Sequence, residues 1–258
     1  MRKTVLAATF LALICQLSIA AEITNVVSSD KLSQDNKNIG NTIVIDVKKQ
    51  AWQVRRLEYF NAVKKYSKDP NDKEALATID KALTIYEKQS WSITPMEAMD
   101  LIQTFYMPQE GVKKTMNMIV AEAILGYRDT LQWASASGKS EILWNEQFLT
   151  RAITNGGRDK KRMEEWLKFV EDKPDEAKKI VAEGVKLASI INTVKVNGYD
   201  RKWPTAYGLE RMSAALENKP DNFKETPNIP DDKALDDAIA KISTYYLPKS
   251  IVSKEAKK

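Results

Sequence analysis

Apolar and polar positions along this chain repeat with the period of an α-helix over most of its length. Trp52, Tyr59, Val63 and Tyr66 recur at helical spacing, with Arg55, Arg56, Lys64 and Lys65 on other faces. After the punctuation "DPND", Leu76, Ile79, Leu83 and Tyr86 give the stripe of a second helix. In "ITPMEAMDLIQTFYMP", Thr94 is placed to cap, Pro95 suits the first helical position and Glu97 closes a capping box. Pro108 is expected to end that helix, because the residue before a proline is pushed out of helical geometry. The next helix, about Glu110 to Ala136, has the widest apolar surface. Val112, Met116, Ile119, Ala123, Tyr127 and Leu131 line it, and Val120, Ile124 and Leu125 broaden it, which predicts a central position.

Gly138 then breaks the pattern, and Ser140 is expected to cap a helix carrying Ile142, Leu143, Phe148, Leu149 and Ile153, with "NGG" (155–157) as its exit. Met163, Trp166, Leu167 and Val170 mark a further helix, and "KPDEAKKIVAEGVKLASIINTV" another, opened by Pro174 and Asp175. "KPDNFKETPNIP" holds three prolines and predicts a loop, before a last helix with Leu235, Ala238, Ile242 and Tyr245. The pattern predicts an all-α fold: one multi-helix domain of about nine helices over residues 42–247, with almost no strand. Three similar segments, "SKDPNDKEALATIDKAL", "EDKPDEAKKIVAEGV" and "NIPDDKALDDAIAKI", are unevenly spaced. They read as one repeated device, proline for the turn and acids against the positive helix end, rather than as a solenoid.

The ends change the picture. Arg2 and Lys3, an apolar run from Val5 to Ile14, and Ser18-Ile19-Ala20-Ala21 have the order of a secretory signal peptide over residues 1–21. Acylation of Cys15 is disfavoured, since Ile14 and Leu13 are bulky where a lipoprotein signal needs small residues. Residues 22–41 read as a flexible polar leader and 248–258 as a basic tail. The expected location is therefore the periplasm, with secretion to the medium as the alternative. The net charge of +5 falls to about +3 without Arg2 and Lys3, a mild excess that argues against nucleic acid. After the signal region no apolar run approaches the ~20 residues of a membrane helix.

Chemistry is bounded by what is missing. The sequence has no histidine, and its one cysteine lies in the signal region. A cleaved chain would hold no disulfide, thiolate nucleophile or Ser-His-Asp set, and no metal or cofactor is expected. The Gly-Lys-Ser of "ASGKSE" is not a phosphate loop, because Trp133 stands where a glycine is required and a helix precedes it. A carboxylate hydrolase stays open by residue type. Of Glu97, Glu110, Glu122 and Glu141, Glu122 is the strongest candidate, lying on the widest apolar helix where burial would raise its pKa.

Two segments stand out as candidate contact surfaces for a protein partner. "NGGRDKKRM" sets Arg158, Lys160 and further cations at a helix start, against the dipole there. "NGYDRKWPTAYGLERM" (197–212) gathers Tyr199, Arg201, Trp203, Tyr207 and Arg211, the residue types that dominate interface energetics. The competing reading is that Trp203 plugs a gap between helices and the charges tie a loop down, with Asp200 pairing with Arg201 or Arg211. Leu209, Met212 and Leu216 are expected to face the core, leaving Tyr207 and Arg211 on another face.

With its signal peptide at 1–21, single helical domain, missing catalytic residue types and aromatic/basic segment at 199–211, the chain resembles the periplasmic immunity proteins that Gram-negative bacteria encode beside type VI secretion effectors. That resemblance implies a non-enzymatic protein that binds and blocks an incoming toxin, such as a peptidoglycan hydrolase or a phospholipase. The alternatives are a carboxylate-dependent cell-wall hydrolase and a helical envelope scaffold or chaperone.

Overall fold

The computed structural model describes residues 52–142, 153, 160–194, 198–219 and 223–247. The expected signal peptide, the leader, Arg158, the "NGG" exit and the basic tail lie outside the described residues. The fold is all-α, with nine α-helices and no strand among the described residues. They are α1 (Trp52–Lys68), α2 (Lys73–Gln89), α3 (Pro95–Leu101), α4 (Met107–Trp133), α5 (Ala136–Ile142), α6 (Lys161–Asp172), α7 (Pro174–Thr193), α8 (Leu209–Leu216) and α9 (Asp231–Tyr246). None is long and apolar enough to cross a membrane.

The described residues group into two compact units: residues 52–93 with 194 and 198, and described residues of 94–193 with those of 199–247. Periodicity marks which face of a helix is apolar but not which neighbour it meets. In the first unit α1 packs on α2. Asp72 caps α2 by accepting from the Ala75 amide at 2.9 Å, and Ile79, Leu83 and Tyr86 are buried as the stripe predicts. On α1 the burial is shifted: Tyr59 and Ala62 are buried, whereas Tyr66 is exposed.

The second unit is built around α4, against which α3, α7 and α9 pack. The capping box at its entrance forms as expected. Glu97 Oε2 accepts from the Thr94 amide at 2.8 Å, and Thr94 Oγ1 accepts from the Glu97 amide at 3.3 Å. Pro108 does not stop the helix. A π-helical turn over Ile102–Tyr106 leads into α4, and the chain departs from helical geometry only at Gly111, with φ of 79°. The wider turn sits where the amide missing from Pro108 would otherwise leave the ladder incomplete, and only glycine adopts the positive φ without strain.

Gly138 likewise does not break a helix. It lies inside α5, and Ser135, just before that helix, accepts at Oγ from the Gly138 amide at 3.0 Å. In α9 the buried line is Ala234, Ala238, Ile242 and Tyr246, while Leu235 and Tyr245 are half-buried. Trp166 on α6 donates from Nε1 to the Tyr246 carbonyl at 3.2 Å.

Close approach of α7 to α4 depends on small side chains. Ala177, Val181, Gly184, Ala188 and Ile191 form the buried face of α7. A Cβ at Gly184 would stand 2.6 Å from Val120 Cβ and 2.7 Å from the Asn117 carbonyl oxygen. Because one obstacle is backbone, Gly184→Ala is expected to destabilise the protein by about 1–3 kcal/mol, despite the better helix propensity of alanine. Urea unfolding checks this; a variant as stable as wild type would show that the two helices have room to separate.

Candidate functional site

The segment 199–216 follows α7 and folds back on α4 and α5. Its centre is a carboxylate on the central helix. Asp129 on α4 is 0% exposed, and its two oxygens accept from four side chains. Oδ1 accepts from Arg128 Nε at 2.8 Å and Nη2 at 2.5 Å, and from Arg201 Nε at 3.3 Å. Oδ2 accepts from the Tyr199 hydroxyl at 2.7 Å and from Trp203 Nε1 at 2.9 Å. A carboxylate has about four acceptor positions, so this one is saturated.

The network extends through the two guanidinium groups. Arg128, itself buried, also donates to Tyr199 Oη at 2.6 Å and to Asn192 Oδ1 on α7. Arg201 donates from Nη2 to Gln132 Oε1 at 2.6 Å and pairs with both oxygens of Asp231 at the start of α9. Two arginines thus face two aspartates, and the cluster is electrically neutral. Burial works against the charge on Arg128, but Asp129 beside it holds the guanidinium above its usual pKa. Burial also opposes the charge on Arg201, yet its bond to Asp231 and the field of Asp129 hold it above the usual range. Burial pushes the Tyr199 hydroxyl well above the ordinary tyrosine value, with Arg128 pulling it back and Asp129 adding to the rise. Tyr199 is a neutral donor at neutral pH.

The expected contact residues therefore separate. Tyr199, Arg201 and Trp203 meet at Asp129, and Trp203 is buried at 2% exposure. Tyr207 stands edge-on to it, with ring centroids 6.2 Å apart at 90°. Arg211 is half-buried. Lys160 is exposed on a different element, immediately before α6. Asp200 does not serve the arginines; it is exposed, and its carboxylate accepts from the Lys202 amide at 2.9 Å. The partners that sequence reasoning missed are Arg128, Asp129, Gln132 and Asp231. One signal was available: an adjacent Arg-Asp pair within the most apolar helix of the chain.

The largest correction concerns α8. Leu209, Met212 and Leu216 share one face as expected, but that face points outward, with exposures of 66%, 60% and 83%. The rotation of α8 is set by polar contacts at its start. The Gly208 amide donates to Glu141 Oε2 at 2.6 Å and the Leu209 amide to Ser137 Oγ at 2.7 Å. Glu210 Oε2 accepts from Ser135 Oγ at 2.7 Å and from Ser137 Oγ, and these bonds hold its carboxyl below the usual range. Gly208, at φ of 95°, lies so close to α5 that a Cβ would stand 2.5 Å from the Gly138 amide nitrogen. These contacts turn Glu210 toward α5; Arg211 is half-buried and Ala214 buried, while the leucines and methionine stay exposed.

Glu122 is buried on α4 at 2% exposure, and its Oε1 has no hydrogen-bond partner. Burial pushes its carboxyl well above the usual range, with Arg128 opposing and Asp129 reinforcing the shift. Among the described residues no group of three His, Cys, Asp or Glu side chains is placed to hold a metal ion. In comparison with known proteins, the chain matches no family model, no curated protein and no solved structure.

Proposed function

We propose that this protein is an exported, non-enzymatic binding protein, a periplasmic antagonist of the immunity type that binds and blocks a toxin enzyme. The observation that carries this reading is the outward apolar face of α8 on a pre-organised base. Leu209, Met212 and Leu216 lie one or two turns apart in the open, on a helix whose first turn is tied to α5 by four side-chain hydrogen bonds. A contiguous apolar face in water favours a partner, and a helix already held in place loses little entropy on binding it. The Asp129 network supports the face from behind by tying the chain that leads into α8 to the central helix. Within the aromatic/basic segment, the work of contact falls to its last turns, while Tyr199, Arg201 and Trp203 hold the segment in place.

Met212→Glu and Leu216→Glu should each weaken binding to the toxin encoded by the adjacent gene by about 10- to 100-fold, without lowering the melting temperature. Calorimetric titration with the purified toxin, alongside inhibition of that toxin's own activity, checks this. Unchanged affinity in both variants would remove α8 as the contact, and failure of wild type to inhibit would remove the antagonist reading.

One observation favours the second reading, a carboxylate-dependent cell-wall hydrolase: Glu122 combines burial with a raised proton affinity, as a general acid does. Release of soluble fragments from purified peptidoglycan by wild type, lost in Glu122→Gln, is the result that would support it.

A further inference from the structure

The outer face of α1 combines two properties. Its first half presents apolar side chains to solvent, with Leu57 at 62% exposure and Val54 and Phe60 also open. Its second half continues the same side with Lys64 and Lys68, both exposed, and Lys65 at its edge. The whole helix carries five cations and a single acid, Glu58. The opposite side, through Tyr59 and Ala62, is buried. Packing on α2 thus uses one side of α1 and leaves an apolar-cationic side exposed.

We propose that this face docks the protein on an anionic lipid bilayer surface. The choice of occupant rests on charge and side-chain type. A basic amphipathic helix lies in a membrane interface with its apolar residues at the acyl boundary and its lysines reaching out to the headgroups. Lysine stems four carbons long let Lys64 and Lys68 do so from the same side as Leu57. Aromatic residues favour that boundary too, and Phe60 is 40% exposed on this side. Lys65 is bonded to Glu74 at 3.2 Å, but both groups are largely exposed, and a pair of that kind opposes transfer to a lipid phosphate only weakly. The outward face of α8 differs in this respect. Its helix carries one acid and one cation, Glu210 and Arg211, and offers an anionic surface no net attraction.

Co-sedimentation of the purified full chain with phospholipid vesicles tests the proposal. Vesicles of phosphatidylglycerol mixed with phosphatidylcholine should bind the chain at low salt, while phosphatidylcholine alone should not. Binding should weaken as salt rises to about 0.5 M, where surface charges are screened within a few ångströms. Lys64→Gln with Lys68→Gln should lower the partition coefficient about fivefold per cation removed. Leu57→Ser should lower it further, whereas Leu216→Ser on α8 should leave it unchanged. All altered residues are exposed, and circular dichroism confirms that the variants fold. Equal binding to both vesicle types, no binding by the folded chain, or variants that bind like wild type would each overturn the proposal. So would capture of the chain by polyglutamate without any capture by vesicles, which would assign the face to an acidic protein. Because Leu216→Ser serves as the control, loss of toxin binding and loss of vesicle binding are separable.

Discussion

Asp129→Ala is expected to destabilise the protein by about 3–5 kcal/mol, more than truncation of any of the side chains that donate to it. Removing the carboxylate leaves the guanidinium of Arg128 buried beside an empty space, and it strips Tyr199 and Trp203 of the acceptor that holds them. The penalty comes mainly from the uncompensated charge, because a buried pair contributes little net stability while a buried single ion is costly. A second substitution separates these causes. Arg128→Met in the Asp129→Ala background removes the stranded cation, so the double variant should recover part of the loss, and the two changes should couple by more than ~1 kcal/mol. Urea unfolding followed by tryptophan fluorescence gives the measurement. A loss below about 1 kcal/mol in Asp129→Ala would show that water or another acceptor replaces the carboxylate, and the anchoring role assigned to it would fall.

The second large effect is a pH dependence centred on Glu122. Its carboxyl has a higher pKa folded than unfolded, because burial disfavours the anion more than Arg128 favours it. Below the unfolded pKa both states are protonated and the group costs nothing. As pH rises above that value the unfolded chain releases its proton while the folded chain keeps it, so stability falls. The loss amounts to about 1.4 kcal/mol per pH unit until the folded pKa is reached, and it is constant beyond. Glu122→Gln has nearly the same shape and no ionisation. It should therefore remove this slope and be more stable than wild type at pH 8, while differing little at pH 4. Chemical denaturation across that range checks the slope. If wild type and Glu122→Gln show parallel profiles, the acid is reached by water or a cation, and the raised pKa is wrong.

Both effects depend on side chains of α4, of which the sequence singled out Glu122 for burial but not Asp129. The widest apolar helix was legible as central from Val112, Met116, Ile119 and Ala123 alone, and these are buried. Less legible was that α4 is enclosed so fully that Arg128, Asp129 and Gln132 are buried as well as Glu122. An amphipathic pattern assigns charged positions to the solvent side, and it fails where other elements cover both sides of a helix. In the candidate site the sequence named three of the residues that meet at Asp129. It did not name the acid, which lies 70 to 74 positions away from Tyr199 and Trp203.

What the sequence determined by itself is local. It set the helical period, the capping box of Thr94 and Glu97, the stripe of α2 and the all-α class, because these follow from contacts between residues a few positions apart. It also limited the chemistry, since no histidine occurs anywhere in it. Tertiary structure alone decided which apolar faces are covered. Leu209, Met212 and Leu216 share a face by spacing, but the orientation of that face was set by the Gly208 and Leu209 amides donating to Glu141 and Ser137 and by Glu210 accepting from Ser135 and Ser137. A stripe reports that apolar residues lie together; only the neighbour that does or does not cover them makes the stripe core or contact surface.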